Sequence, residues 1–86
     1  MTNYMVTIRL NKPMDDEIAS VLPQEQAMLE SWAQEGKLDG SWIRQDRKGA
    51  FLLLNAADEE EASSMLDELP LRPHIETDLY AVEGAK

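Results

Sequence analysis

Eighty-six residues are enough for one domain, residues 1–86, with a thin core: a chain of this size buries roughly 60–65% of its unfolded surface. There is no cysteine and a single histidine, His74, which excludes disulfides, thiolate metal sites and cysteine nucleophiles and leaves no ligand set for zinc or haem. The formal net charge of −9 argues against a nucleic-acid partner, whose phosphates need a basic surface, and fits a surface kept soluble by carboxylates.

Asn3 to Leu10 alternates, with Tyr4, Val6, Ile8 and Leu10 on one face and Met5, Thr7 and Arg9 on the other. This is the pattern of a strand half committed to a core. Pro13 ends it, and Asp15 is placed to cap a helix. From Glu17 to about Lys37 the pattern is helical, closed by Gly36 with Lys37 beside it. Pro23 removes the bond to the Ala19 carbonyl and predicts a kink or a split. At about 100° per residue, Ile18, Leu22, Leu29 and Trp32 share one side, with Val21, Met28 and Ala33 at its margins. Glu25 falls near the middle of that apolar side, a local contradiction of the kind that marks function.

Leu38 to Gln45 reads as a second strand. Asp46-Arg47-Lys48-Gly49 is a turn, with Gly49 able to take positive φ. Ala50 to Asn55 is apolar on both faces, which predicts a central strand covered on both sides. Asp58 and Glu61 make a capping-box pattern before Ala62, Met65, Leu66 and Leu69, an apolar helical stripe. Pro70 and Pro73 then hold an extended Leu-Pro-Leu-Arg-Pro elbow. Beyond it the period falls to two through Ile75, Thr77, Leu79 and Ala81, a final strand, and the tail from Glu83 is expected to fray.

Strand, helix, strand, strand, helix, strand is the split βαβ order. It predicts an α+β, ferredoxin-like fold: a four-stranded antiparallel sheet with both helices on one face. Right-handed crossovers place the first and third strands in the centre. The uncovered face would carry Met5, Leu52 or its neighbours, Ile43 and Tyr80, too apolar to stay wet, so a second copy is expected to pack against it. No apolar run approaches the roughly 20 residues needed to span a bilayer, and no leader pattern opens the chain, so a cytoplasmic location is expected.

Leu-Pro-Leu-x-Pro after an acidic helix resembles the muconolactone isomerase family, and the resemblance runs from about Glu25 through Lys37 and Trp42 to Ile75. It implies a dimeric α+β barrel, in some members built into larger rings, and a cofactor-free enzyme of aromatic catabolism. It also implies that Glu25, at the matching helix position, lies in the pocket and moves the proton.

The residues themselves give Glu25 the same part, as a general base whose carboxyl is pushed up by apolar surroundings; the bland alternative is a solvated position at a kinked rim. His74, after Pro73, is placed to hold a substrate oxygen or share the transfer, although the family more often has tyrosine there. Arg9, Arg44 and Arg72 are candidates for binding a substrate carboxylate, set against solvated or internally paired charges. In the family arginine directly follows the tryptophan, whereas here Ile43 intervenes between Trp42 and Arg44, and a one-residue shift along a strand reverses the face. Trp32, Trp42, Phe51, Tyr4 and Tyr80 would either wall a pocket for a flat ring or fill the core.

The expected activity is cofactor-independent proton movement beside a carbonyl or lactone of a small anionic, cyclic substrate. A divergent lyase or cyclase activity is open to the same fold. The alternative is a non-catalytic module that binds a small ligand or only oligomerises. No metal ligand set or cofactor loop stands in the sequence.

Overall fold

A computed structural model describes residues 2–83; the tail beyond Glu83, expected to fray, lies outside them. The elements follow in the expected order: β1 (Thr2–Leu10), α1 (Asp16–Gln34), β2 (Leu38–Ile43), β3 (Gly49–Ala56), α2 (Glu59–Asp67) and β4 (Ile75–Val82). The sheet is antiparallel in the order β2-β3-β1-β4, with β1 and β3 central. This is the ferredoxin-like α+β arrangement. No helix among the described residues is long and apolar enough to cross a membrane.

Alternation decides which face is covered. Tyr4, Val6 and Ile8 of β1 and Leu52, Leu54 and Ala56 of β3 point toward the helices and are buried. They meet Ile18 and Trp32 of α1 and Ala62, Met65 and Leu66 of α2. Val6, Ile18, Leu52 and Leu54 are sealed, and each contributes about 1.5–3 kcal/mol by leaving water.

The cap residues act as their chemistry requires. Asp15 accepts the Ile18 N–H at 2.9 Å, and Asp58 accepts that of Glu61 at 2.9 Å. Gly36, at φ 79°, ends α1: its N–H reaches the Ala33 carbonyl and that of Lys37 reaches Trp32, the paired bonds of a Schellman cap. Pro23 neither splits nor interrupts α1, which runs unbroken through it. Pro23 and Ala19 are both exposed, so water satisfies the carbonyl that the proline leaves free.

Two expectations, the face of Ile43 and the extended elbow, are corrected. Leu52 faces the helices, so the open sheet face carries its neighbours Phe51 and Leu53 with Met5, Trp42 and Tyr80, which are cross-strand partners of one another. Ile43 pairs with Ala50, on the opposite face from Trp42, because the strand alternates. Within one chain the helices cover one face of β3, and Phe51 is 38% exposed on the other, the face expected to meet a second copy. The elbow is not extended. Leu71 has helical backbone angles, and Arg72–His74 is a 3-10 turn in which the Arg72 and His74 N–H groups bond to the Leu69 and Leu71 carbonyls. Tight i→i+3 turns let the elbow keep backbone donors that an extended path would leave unpaired.

In the β2–β3 turn the positive φ lies at Arg47 (63°), not at Gly49. Gly49 is needed for another reason: a Cβ there would stand 2.1 Å from the Ile8 carbonyl oxygen across the sheet.

Candidate active site

Glu25 lies in the middle of the buried stripe of α1, between Ile18 and Trp32, and is only 6% exposed. Its neighbours Gln24 and Gln26 are exposed, so helical geometry alone turns this one acid inward. There it meets the elbow. Oε1 accepts the backbone N–H of Leu71 at 3.2 Å, and Leu71 is itself buried. Burial pushes the carboxyl above its ordinary range, and the Leu71 N–H, which favours the anion, offsets part of that rise. Among the described residues only Oε1 is hydrogen-bonded, and the group is thus held in place at one oxygen.

Beside it runs a groove of about 410 Å³ between α1 and the β2–β3 edge. Leu29, Ala33, Trp42, Ile43 and Leu52 give it apolar walls, and Gln26 and Ser41 supply polar points. Glu25 is not part of the lining. Leu29, one helical turn beyond it, belongs both to the wall and to the packing against the core.

The other candidate residues are dispersed. His74 Nε2 stands 3.3 Å from Glu17 Oε1, and the Glu17 carboxylate also holds Lys12. Glu17 and Glu25 are eight residues apart on α1, about 12 Å of helical rise, and no hydrogen bond joins His74 to Glu25 among the described residues. Arg72, next to Leu71, donates to Thr77 Oγ1 at 2.9 Å and pairs with Asp67 through Nε at 3.3 Å, in a shallow cleft between α2 and β4. Arg44 is paired with Asp46 at the hairpin, and Arg9 lies 4.0 Å from Asp78. Tyr4 and Trp32 are in the core. Trp42 is 53% exposed and folded back over Gly40, while Phe51 and Tyr80 lie on the open sheet face.

Sequence reasoning did not single out Gln26 and Leu29 as groove residues or Glu17 as the partner of His74. A helical wheel places Leu29 on the same face as Glu25, but the Glu17 contact depends on how the elbow folds. No group of three or more histidine or acidic side chains that could hold a metal occurs among the described residues.

A ferredoxin-like sandwich with one acid buried in its long helix defines a small α+β protein. The chain belongs to the muconolactone delta-isomerase family, whose sequence profile matches residues 2–84. Among solved structures it is similar to a crystal structure of muconolactone isomerase at 3.3 Å resolution. The TM-score is 0.74 and the identity 19%, over 93% of this chain and 86% of that one. Among curated proteins no match is found.

Proposed function

We propose that the chain is a cofactor-independent isomerase that moves a proton beside the carbonyl of a small anionic lactone. The observation that carries this reading is the Glu25 carboxyl, buried in the long helix, held at one oxygen by the Leu71 N–H and raised above its ordinary range by burial. Glu25 takes a proton from the carbon next to the carbonyl, the electrons shift into an enolate, and the same carboxyl returns the proton to a second carbon. The net change is a double bond moved within one molecule. A carboxyl raised above its ordinary range is better able both to accept and to release a proton.

The substrate ring would lie in the α1–sheet groove against Trp42 and Leu29. Arg72, adjacent to Leu71, lies in the α2–β4 cleft, which shares no lining residue with this groove, so it is not assigned to the substrate carboxylate. His74 would steady the elbow through Glu17 rather than handle the proton. Two copies packed through the open sheet face would close each other's grooves, and a larger ring could be built from such dimers. Muconolactone itself, in cytoplasmic aromatic catabolism, is the first substrate to try, and the family assignment supports it.

Glu25→Gln tests the reading. The variant should keep its fold and lose roughly 10²–10⁴-fold in the exchange of deuterium into the α-carbon of muconolactone and related lactones. One observation favours a second reading: Glu25 does not line the groove, and its bond to Leu71 is useful to folding in its own right. Under that reading the chain is a ligand-binding or oligomerisation module, lactones bind without exchange, and Glu25→Gln leaves binding unchanged.

A further inference from the structure

At the end of the sheet opposite the α2 N-terminus, a separate groove of about 510 Å³ opens between the loop after β1 and the β2–β3 turn. Its two walls are tied together by the Leu10 N–H, which donates to the Lys48 carbonyl at 3.1 Å. Leu10, Pro13 and Met14 form an apolar side, and Met14 is one of the few large apolar side chains exposed by the fold. Lys12 from the same loop and Arg47 and Lys48 from the turn add positive charge, with Asp46 the one acid in the lining.

Three cations against one carboxylate leave two positive charges in this groove, on a chain whose net charge is −9. The acid is already used: Asp46 binds Arg44 and accepts the Lys48 N–H at 3.0 Å. Lys12 is held by Asp15 and Glu17. Arg47 and Lys48 make no ion pair among the described residues. Arg47 is also the one non-glycine residue among them with positive φ, at 63°. Left-handed backbone is costly for a side chain with a Cβ, and strain of this kind collects where a side chain has to be aimed.

We propose that this groove is a second ligand site, for a small amphiphilic carboxylate such as an aromatic or short-chain acid. The guanidinium of Arg47 offers the planar fork that matches a carboxylate, Lys48 adds a point charge, and the ring or chain lies on Leu10, Pro13 and Met14. A fully hydrated dianion would gain nothing from that apolar wall. The site shares no lining residue with the α1–sheet groove and does not rest on the isomerase reading.

The test is a titration of the full chain, followed by amide NMR, with benzoate and with inorganic phosphate and benzyl alcohol as controls. Benzoate should shift the amides of Asn11, Lys12, Met14, Arg47 and Lys48 saturably, and bind at least tenfold more tightly than either control. Arg47→Gly, which suits the left-handed backbone, and Lys48→Gln should each weaken that response at least fivefold without disturbing distant amides. The proposal is overturned by an absence of saturable shifts at those residues, by phosphate binding as well as benzoate, or by a response indifferent to both substitutions. It is equally overturned if the same amides shift with protein concentration alone, which would mark the groove as a seat for an acidic segment of another copy.

Discussion

The carboxylate of Glu25 and the backbone N–H of Leu71, 46 residues apart in the chain, meet at 3.2 Å inside the protein. Each settles the other's problem. Without the acid, a buried elbow would leave a backbone donor unpaired; without the donor, the acid would be sunk among apolar side chains with nothing to hold its charge. Desolvation still outweighs the hydrogen bond, so the carboxyl sits above its ordinary range. The same contact thus anchors the elbow and tunes the proposed base.

Stability should carry the mark of this group. A carboxyl raised in the folded state binds its proton more tightly there than in the unfolded chain, so the native state holds more protons between the two pKa values. Stability then falls as pH rises through that window, and levels off above it. Asp15 runs the other way: the Ile18 N–H and Lys12 lower it, so its contribution is lost as pH falls. Glu25→Gln keeps an acceptor for Leu71 but no titration. Urea unfolding from about pH 4 to 8 should show the wild type declining through the window and the variant flat there. Parallel curves would mean that Glu25 is not desolvated.

Oligomer formation should depend on the open sheet face. Phe51, Leu53, Met5, Trp42 and Tyr80 lie together there, with Tyr80 56% exposed, yet none of them supports the helix-facing core. Leu53→Glu or Tyr80→Glu should leave the circular dichroism of the fold intact and reduce the mass in sedimentation equilibrium to that of one chain. A wild type that is already monomeric at high concentration would end the paired-sheet proposal.

What could be read in advance followed from local periodicity. The core face of β1, the stripe of α2, the Gly36 cap and the inward turn of Glu25 each follow from residue spacing along one element. What failed depended on contacts between elements. Gly49 looked like a turn glycine because the sequence cannot show the Ile8 carbonyl pressing on it from β1. The register of β2 shifts between Leu38 and Gly40, and Ile43 turns to the opposite face from Trp42. Two prolines argued for an extended elbow, but Pro70 and Pro73 also suit tight turns, and the Leu71 donor needed by Glu25 belongs to the folded arrangement. The dispersal of Arg44, Arg72 and His74 among separate acids was equally beyond the sequence, since each partner is chosen by loop geometry.

α2 should depend on its cap more than a longer helix would. With nine residues it is too short to persist alone, so tertiary packing and end effects decide whether it forms. Asp58 satisfies the Glu61 N–H, and Glu59, Glu60 and Glu61 complement the helix dipole. Asp58→Ala should cost about 1 kcal/mol, which lowers the melting temperature of a domain this small by roughly 4–8 °C. Asp58→Asn should recover most of the loss. An alanine variant that melts with the wild type would show that packing alone holds this helix.

Two glycines, finally, should respond to the same substitution by different mechanisms and to different degrees. At Gly36 an added Cβ meets nothing within 4 Å, so Gly36→Ala pays only for its φ of 79°, about 1–2 kcal/mol. At Gly49 the backbone conformation is ordinary, but the new methyl would strike the Ile8 carbonyl at 2.1 Å. That oxygen belongs to the neighbouring central strand, and relief requires β1 and β3 to part where Arg9 opposes Gly49. Gly49→Ala should therefore cost about 3 kcal/mol or more, a large share of the stability of so small a domain. Denaturant unfolding of the two variants side by side gives the order directly. If Gly36→Ala proves the more damaging, the close approach of the central strands is wrong, and with it the register that places Leu52 and Phe51 on opposite faces of the sheet.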